Sequence, residues 1–194
     1  MTRIIAGEAG GLRLAVPRGK ATRPTSDMAR EGLLSSVIAK FGTLAGATVL
    51  DLYAGSGAVG LEALSRGAAD VLLVESDPGA VAAIRRNIAY LGLPGARLIS
   101  DRVERFLRRG PGELTRRDFV FADPPYSAGA GEVASMLTSL IGEDWLAPDA
   151  LVVVERDSRS GPPDWPAGYL QDRSRRYGET TLWYGRACGD MQQA

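Results

Sequence analysis

The chain has 194 residues, 45% of them apolar, 24% charged and 7% aromatic, the composition of an ordinary folded chain with room for one full domain and a small appendage. A single cysteine, Cys188, excludes a disulfide framework, and the total absence of histidine excludes His-based acid/base catalysis, Ser-His and Cys-His nucleophile pairs and the usual zinc sites. Net charge is zero, yet residues 1–40 carry seven basic and three acidic side chains, a basic arm on an acidic body that suits a polyanionic partner. No apolar run reaches the roughly 18 residues of a membrane span and the first residues lack a signal-peptide core, so the expected compartment is the cytoplasm, with no membrane contact.

Residues 3–6 and 11–16 read as two short strands of a hairpin around Gly7, Gly10 and Gly11, followed by a basic loop from Pro17 to Pro24. From Asp27, apolar residues recur at helical spacing to about residue 40. The appendage is therefore residues 1–40, the main domain 41–187 and a tail 188–194. From Thr48 short apolar runs alternate with amphipathic segments, the pattern of a parallel sheet wrapped by crossover helices. Strands are predicted at 48–53, 71–75, 97–100, 118–122 and 150–155, with helices at about 57–66, 79–91, 102–109 and 132–142. Residues 157–168 form a surface connection, and 169–176 and 180–186 a terminal antiparallel pair. The fold class is α/β and doubly wound.

In such sheets ligands bind beyond the carboxyl ends of the strands. The first predicted strand ends in Asp51-Leu52-Tyr53-Ala54-Gly55-Ser56-Gly57-Ala58-Val59-Gly60, a G-x-G-x-x-G turn, and Glu75 closes the second strand about 20 residues on. That pattern alone permits a dinucleotide. Asp51 favours another ligand, because a carboxylate there repels a pyrophosphate but suits the cationic amino-acid end of S-adenosylmethionine. Glu75 is then placed for the ribose. Asp101, after the third strand, can accept from the adenine amino group or cap the helix beginning at Arg102; both readings stand.

The fourth strand runs into Asp123-Pro124-Pro125-Tyr126. Consecutive prolines hold the chain extended without N–H donors, leaving a carbonyl outward as an acceptor beside an acid and an aromatic ring. An exocyclic amino group on a planar base needs two acceptors to aim its nitrogen and a ring to stack on. For nucleic acid the basic candidates are Arg3, Arg13, Lys20, Arg23 and Arg30, with Arg173, Arg175 and Arg176 as a second patch; Arg105, Arg108 and Arg109 read as a solvated helix face.

The spacing of DLYAGSG, VLLVE, ISD and DPPY resembles the class I S-adenosylmethionine-dependent methyltransferases that act on amino groups. The opening RIIAGEAGGLRL and RPTSDMAREGLLSSV resembles the RsmD family, the bacterial guanine-N2 methyltransferases of small-subunit ribosomal RNA. The resemblance runs from Arg3 to about Gly185. It implies a Rossmann-like seven-stranded sheet with an antiparallel last strand. The implied substrate is a guanine of 16S ribosomal RNA in the assembled or assembling small subunit, and no metal is implied. Asp51, Tyr53, Ala54, Gly55, Ser56, Gly57, Glu75, Asp101 and Arg102 are expected around the cofactor, and Asp123, Pro124, Pro125 and Tyr126 at the reacting base. Amino-methylation of DNA adenine or cytosine, or of a protein glutamine, remains the alternative.

Overall fold

In the computed structural model, residues 2–17, 27–125 and 127–188 are described. Lys20, Arg23 and Tyr126, most of the Pro17–Pro24 loop and all but the first residue of the tail lie outside the described residues. Chain order is α1 (Asp27–Phe41), β1 (Thr48–Leu52), α2 (Ala58–Ser65), β2 (Asp70–Glu75), α3 (Pro78–Leu91), β3 (Ala96–Ser100), α4 (Val103–Leu107), β4 (Arg117–Ala122), α5 (Ala130–Gly142), β5 (Leu146–Asp157), β6 (Tyr169–Tyr177) and β7 (Thr180–Ala187). The strands form one sheet in the order β3-β2-β1-β4-β5-β7-β6. Strands β1 to β5 pair in parallel, and β7 runs antiparallel to both β5 and β6. The strand order therefore reverses between β1 and β4, which is where a doubly wound sheet opens its ligand crevice.

The central strands are apolar on both faces because both are covered. On one face Val49, Val71, Leu73, Phe119, Phe121, Leu151 and Val153 pack with α1, α2 and the N-terminal segment; on the other Leu50, Leu72, Val74, Val120, Val152 and Val154 pack with α4 and α5 around Trp145. Ile4, Leu14, Leu33, Leu34 and Val37 belong to the first cluster. Residues 2–15 and α1 thus share the core of the sheet instead of projecting from it.

Two strand assignments change. The predicted hairpin at 3–6 and 11–16 is a single antiparallel bridge, Arg3 to Arg13, with the Ile4 N–H donating to the Leu12 carbonyl at 2.9 Å and the Leu14 N–H to the Thr2 carbonyl at 2.9 Å. The ladder stops there because neighbouring donors are taken by α2. Ile5 and Ala6 N–H bond the Glu62 carboxylate at 2.6 and 2.9 Å, and the Ala9 N–H bonds Ser65 Oγ at 2.9 Å. Gly7 presses on the same turn, where a Cβ would lie 2.0 Å from the Ser65 carbonyl oxygen. Strand β5 begins at Leu146, earlier than predicted; Pro148 and Asp149 disguise its start, and its register with β4 shifts between Arg117 and Phe119.

Arg30 is not a nucleic-acid contact. Its side chain is fully buried, with Nε 3.6 Å from Glu62 Oε2, itself fully buried, and Nη2 bonded to Asp27 at 3.0 Å and to the Arg3 carbonyl. A guanidinium so enclosed fixes α1 to α2 and cannot reach a phosphate.

Candidate active site

The crevice opens beyond β1, β2 and β4. Immediately after β1 the backbone turns through left-handed residues, Tyr53 at φ 57° and Gly55 at φ 58°. A Cβ on Gly55 would meet no atom closer than the Tyr53 carbonyl oxygen at 4.0 Å, so glycine is needed there for its conformation and leaves the loop surface open. At Gly60 the reason is proximity: a Cβ would stand 2.8 Å from Leu73 Cδ2 and Val71 Cγ1, so only glycine lets α2 lie on β2.

Three acids surround this loop. Asp51 is buried, and its Oδ2 accepts from the Gly60 N–H at 2.9 Å, satisfying a free donor at the start of α2. Burial pushes its carboxyl up to about 8; the Gly60 hydrogen bond pulls the other way and the charge of Glu75 adds to the rise. A buried acid held that high gains most from a cation beside it. Glu75 accepts from Gly55 N–H at 2.8 Å through Oε2, and from Ser76 and Asp77 N–H at 2.7 Å each through Oε1, binding the glycine loop to the end of β2. Its oxygens keep further lone pairs for a ligand hydroxyl.

Asp101 is also buried, but it is not the N-cap of α4; Arg102 holds that position. One oxygen accepts from the Arg102 N–H at 2.7 Å and from Arg105, the other from Arg109 Nη2 at 2.7 Å. Arg105 and Arg109 are exposed, as expected of a solvated helix face, and in addition they pair with the acid and hold it in place. The Tyr53 hydroxyl bonds Glu104 at 3.1 Å, joining the glycine loop to α4.

The Asp123 N–H donates to the Leu52 carbonyl at 3.4 Å, so the chain stays alongside β1 for one residue beyond β4. The Pro125 carbonyl accepts from the Ala128 N–H at 2.7 Å, closing the turn after the second proline. Asp123, Pro124 and Pro125 line a cleft with Ala128, Val133 and the C-terminal end of β5, Glu155 to Asp157. Burial raises the Asp123 carboxyl well above the carboxylate range, and the charges of Glu155 and Asp51 raise it further. Arg156 ties the cleft rim down through the Pro162 carbonyl at 2.8 Å.

Two residues outside the predicted set matter here. Asn87 of α3 is buried; its Oδ1 accepts from the Ala15 N–H at 2.8 Å, and its Nδ2 donates to Ala15 O at 3.0 Å and to Ser56 O at 2.9 Å. It fastens the N-terminal segment to the glycine loop, and nothing in its local sequence marks it. Glu155 is the other; an acid near the C-terminal end of β5 has the same form as Asp51 and Glu75 near the ends of theirs, and that signal was legible.

Among the basic candidates, Arg13, Arg175 and Arg176 are exposed, and Arg3 is exposed with Asp27 at 3.9 Å. Arg173 is half-buried over the Tyr184 ring at 5.0 Å. The register Asp157 to Thr180, Thr180 to Tyr177 and Thr181 to Arg176 puts Arg175 and Arg176 at the end of the sheet that carries the cleft.

Residues 2–186 match the model of the family described as Conserved hypothetical protein 95. The chain belongs to this family. Among its relatives, the ribosomal RNA small subunit methyltransferase D of Escherichia coli K12 is 36% identical over 177 residues, 91% of this chain and 85% of that one. A solved Escherichia coli methyltransferase structure, yhhF, is 33% identical, covers 97% of this chain and 99% of its own, and superposes with a TM-score of 0.84. A more distant methyltransferase complexed with S-adenosylhomocysteine, 15% identical over 74% of this chain and 46% of its own, has a TM-score of 0.60 and shares the fold. The sheet order is that of class I methyltransferases, and S-adenosylmethionine is their methyl donor. The family's glycine loop fits it: an open Gly55 surface, a buried acid wanting a cation, and Glu75 at the adjoining strand end. Among the described residues no helix is long and apolar enough to cross a membrane.

Proposed function

We propose that the protein methylates the exocyclic amino group, N2, of a guanine in 16S ribosomal RNA of the assembled or assembling small ribosomal subunit. The observation that carries this is Asp123, half-buried after β4 with two prolines behind it, in a cleft beyond the strand ends. When bound, S-adenosylmethionine supplies a methyl on a sulfonium, so the acceptor nitrogen displaces a thioether and gives up a proton.

The chain's own part is to hold and aim. Asp51 takes the cationic methionine end, Glu75 the ribose hydroxyls and Asp101 the adenine amino group, with Tyr53, Ala54, Ser56 and Arg102 forming the adjoining walls. Backbone at Gly55 lets the ligand approach closely, whereas at Gly57, also expected at the cofactor, a Cβ would point into the core toward Leu73 and Ile84. Asp123 accepts from the acceptor amino group and offsets the positive charge growing on its nitrogen. The carbonyl of Asp123 or Pro124 is the second acceptor, and Tyr126 is the ring on which the base stacks. A guanine in a folded loop must leave its stack to enter the cleft, at less cost where it is single-stranded.

Arg175 and Arg176 beside the cleft, with Arg3 and Arg13 on the N-terminal segment, are the phosphate contacts. Both sets adjoin α1: Arg30 bonds the Arg3 carbonyl, and a Cβ on Gly32 would touch the Tyr177 hydroxyl at 1.9 Å. The name and 36% identity of the Escherichia coli relative support the ribosomal RNA substrate.

The test uses S-adenosylmethionine with a labelled methyl and four acceptors: small subunits from cells lacking this protein, naked 16S RNA, duplex DNA and total ribosomal protein. Label in 16S RNA of the subunits is expected. Label confined to DNA or protein overturns the reading.

A further inference from the structure

We infer that Arg156 is a base-reading residue, whose guanidinium takes the O6 and N7 acceptors of the guanine while Asp123 takes its amino group. The inference rests on the guanine acceptor proposed above and adds the residue that recognises its other edge.

Strands β4 and β5 run parallel with Ala122 opposite Val154. Asp123 and Arg156 therefore stand at neighbouring strand ends, one strand spacing of about 4.8 Å across and one residue apart along the strands. Val152 and Val154 of β5 enter the core cluster with α5, and the alternation of side chains puts Arg156 on that same face. There it lines the cleft with Asp123, the two prolines and Val133. The side chain is half-buried and forms no ion pair among the described residues. Both of its hydrogen bonds leave from Nη1, to the Gly161 carbonyl at 3.3 Å and the Pro162 carbonyl at 2.8 Å. Nε and Nη2 bond no acceptor among the described residues, and neither is shut away from solvent. Elsewhere in the chain that same pair of nitrogens closes on a carboxylate. Arg97 holds Asp70 at 3.0 and 2.6 Å, and Arg159 holds Asp157 at 3.0 Å through each. Arg156 thus presents a planar two-donor fork to the cleft, its plane set by the anchored Nη1.

Such a fork matches two acceptors side by side. A phosphate offers them, but Asp123, Glu155 and Asp157 line the same cleft, and a second anion there meets their repulsion. A neutral base edge carries two acceptors without that penalty. Guanine is the base with O6 and N7 adjacent; adenine puts an amino group in place of O6, donor against donor, and the pyrimidines have no N7. An unpaired base leaves this edge open. The amino group of guanine lies across the ring from N7, so a purine spanning the cleft meets Asp123 at one edge and Arg156 at the other. Asp123 alone gives only a mild preference among amino-bearing bases; the fork of Arg156 makes the reading specific. Asp123 serves the reacting nitrogen, and Arg156 serves O6 and N7.

The test removes one acceptor from the base and then the fork from the protein. Wild-type enzyme first locates the modified nucleotide on small subunits from cells lacking the protein. Subunits are then reconstituted with guanine or 7-deazaguanine at that position; 7-deazaguanine keeps O6, N1–H and the amino group but carries C–H in place of N7. Wild type should prefer guanine by about tenfold in kcat/KM, the scale of one charge-assisted hydrogen bond. This comparison needs no variant, so it stands whether or not Arg156 can be replaced. In Arg156→Met, which keeps the length of the side chain without its donors, the preference should shrink to near unity. Any intrinsic difference between the two amino groups is common to both enzymes. S-adenosylmethionine affinity by calorimetry should stay within about twofold of wild type, as the check on folding. Wild type accepting both bases equally, the result a phosphate contact would give, or Arg156→Met keeping the full preference, overturns the role of Arg156 while the guanine methyltransferase reading stands. Wild type placing its methyl on another base or on no RNA removes both.

Discussion

Replacing Asn87 by alanine tests whether the N-terminal segment and the glycine loop are mechanically one unit. The amide makes three hydrogen bonds, two to Ala15 and one to Ser56, from a buried position on α3. At a net ~1 kcal/mol each, their loss amounts to about 3 kcal/mol. Ala15 and Ser56 are half-buried, so water can reach part of what is freed, and the expected destabilisation is about 2–3 kcal/mol. That is a large share of the ~5–15 kcal/mol that holds a domain together. Urea unfolding should show a lower midpoint at unchanged slope. The Ser56 anchor alone carries about 1 kcal/mol, so S-adenosylmethionine affinity by calorimetry should fall roughly fivefold. Asn87→Asp keeps the acceptor for the Ala15 N–H but turns a carboxylate toward two carbonyls, and should be at least as damaging at pH 7. If Asn87→Ala unfolds within about 0.5 kcal/mol of wild type and binds the cofactor equally well, the coupling is wrong.

Further variants separate the remaining roles. Asp51→Ala should weaken S-adenosylmethionine binding by roughly 10- to 150-fold in calorimetry, the loss of a charge-assisted hydrogen bond of about 1.5–3 kcal/mol. Asp51→Asn removes a titration: with the folded carboxyl raised to about 8, above its unfolded value, the protonated form stabilises the fold fully below the unfolded value. The stability of wild type relative to Asp51→Asn should therefore decline as pH rises from about 4 through about 8 and level off above, read by thermal unfolding across pH. Arg30→Met should cost about 3 kcal/mol in urea unfolding, because it leaves the buried Glu62 with one guanidinium fewer, and should leave the salt dependence of RNA binding unchanged. Arg175→Ser with Arg176→Ser should lower that salt slope by roughly 0.7–0.9 per lost phosphate contact, without altering S-adenosylmethionine affinity.

Periodicity exposed the sheet because β1, β2 and β4 are apolar on both faces and begin at polar positions, Thr48, Asp70 and Arg117. The G-x-G-x-x-G turn and the acids at 51 and 75 were equally legible, since strand, turn and helix succeed one another without insertion. What periodicity could not show is how side chains far apart in sequence share backbone donors. Glu62 reads as a polar position on α2, yet it accepts from Ile5 and Ala6, 57 and 56 residues earlier, and thereby replaces the predicted hairpin with one bridge. The same hub hides Arg30, whose charge in the sequence is indistinguishable from that of the exposed Arg13. At Asp101 a local capping pattern was visible and one oxygen does accept from the Arg102 N–H, but Arg105 and Arg109, one and two turns along, also hold the carboxylate, and Arg102 takes the N-cap position.

The most direct measurement is nucleoside mass spectrometry of 16S RNA from small subunits of cells lacking the protein, after incubation with S-adenosylmethionine and either wild type or Asp123→Ala. Wild type should add one N2-methylguanosine per particle. Asp123→Ala should do so at least ~10²-fold more slowly, the scale of removing one preorganised polar group from a reacting centre, while binding S-adenosylmethionine nearly as well. Unmodified RNA with wild type, a methyl on another base, or an undiminished rate with Asp123→Ala would contradict it.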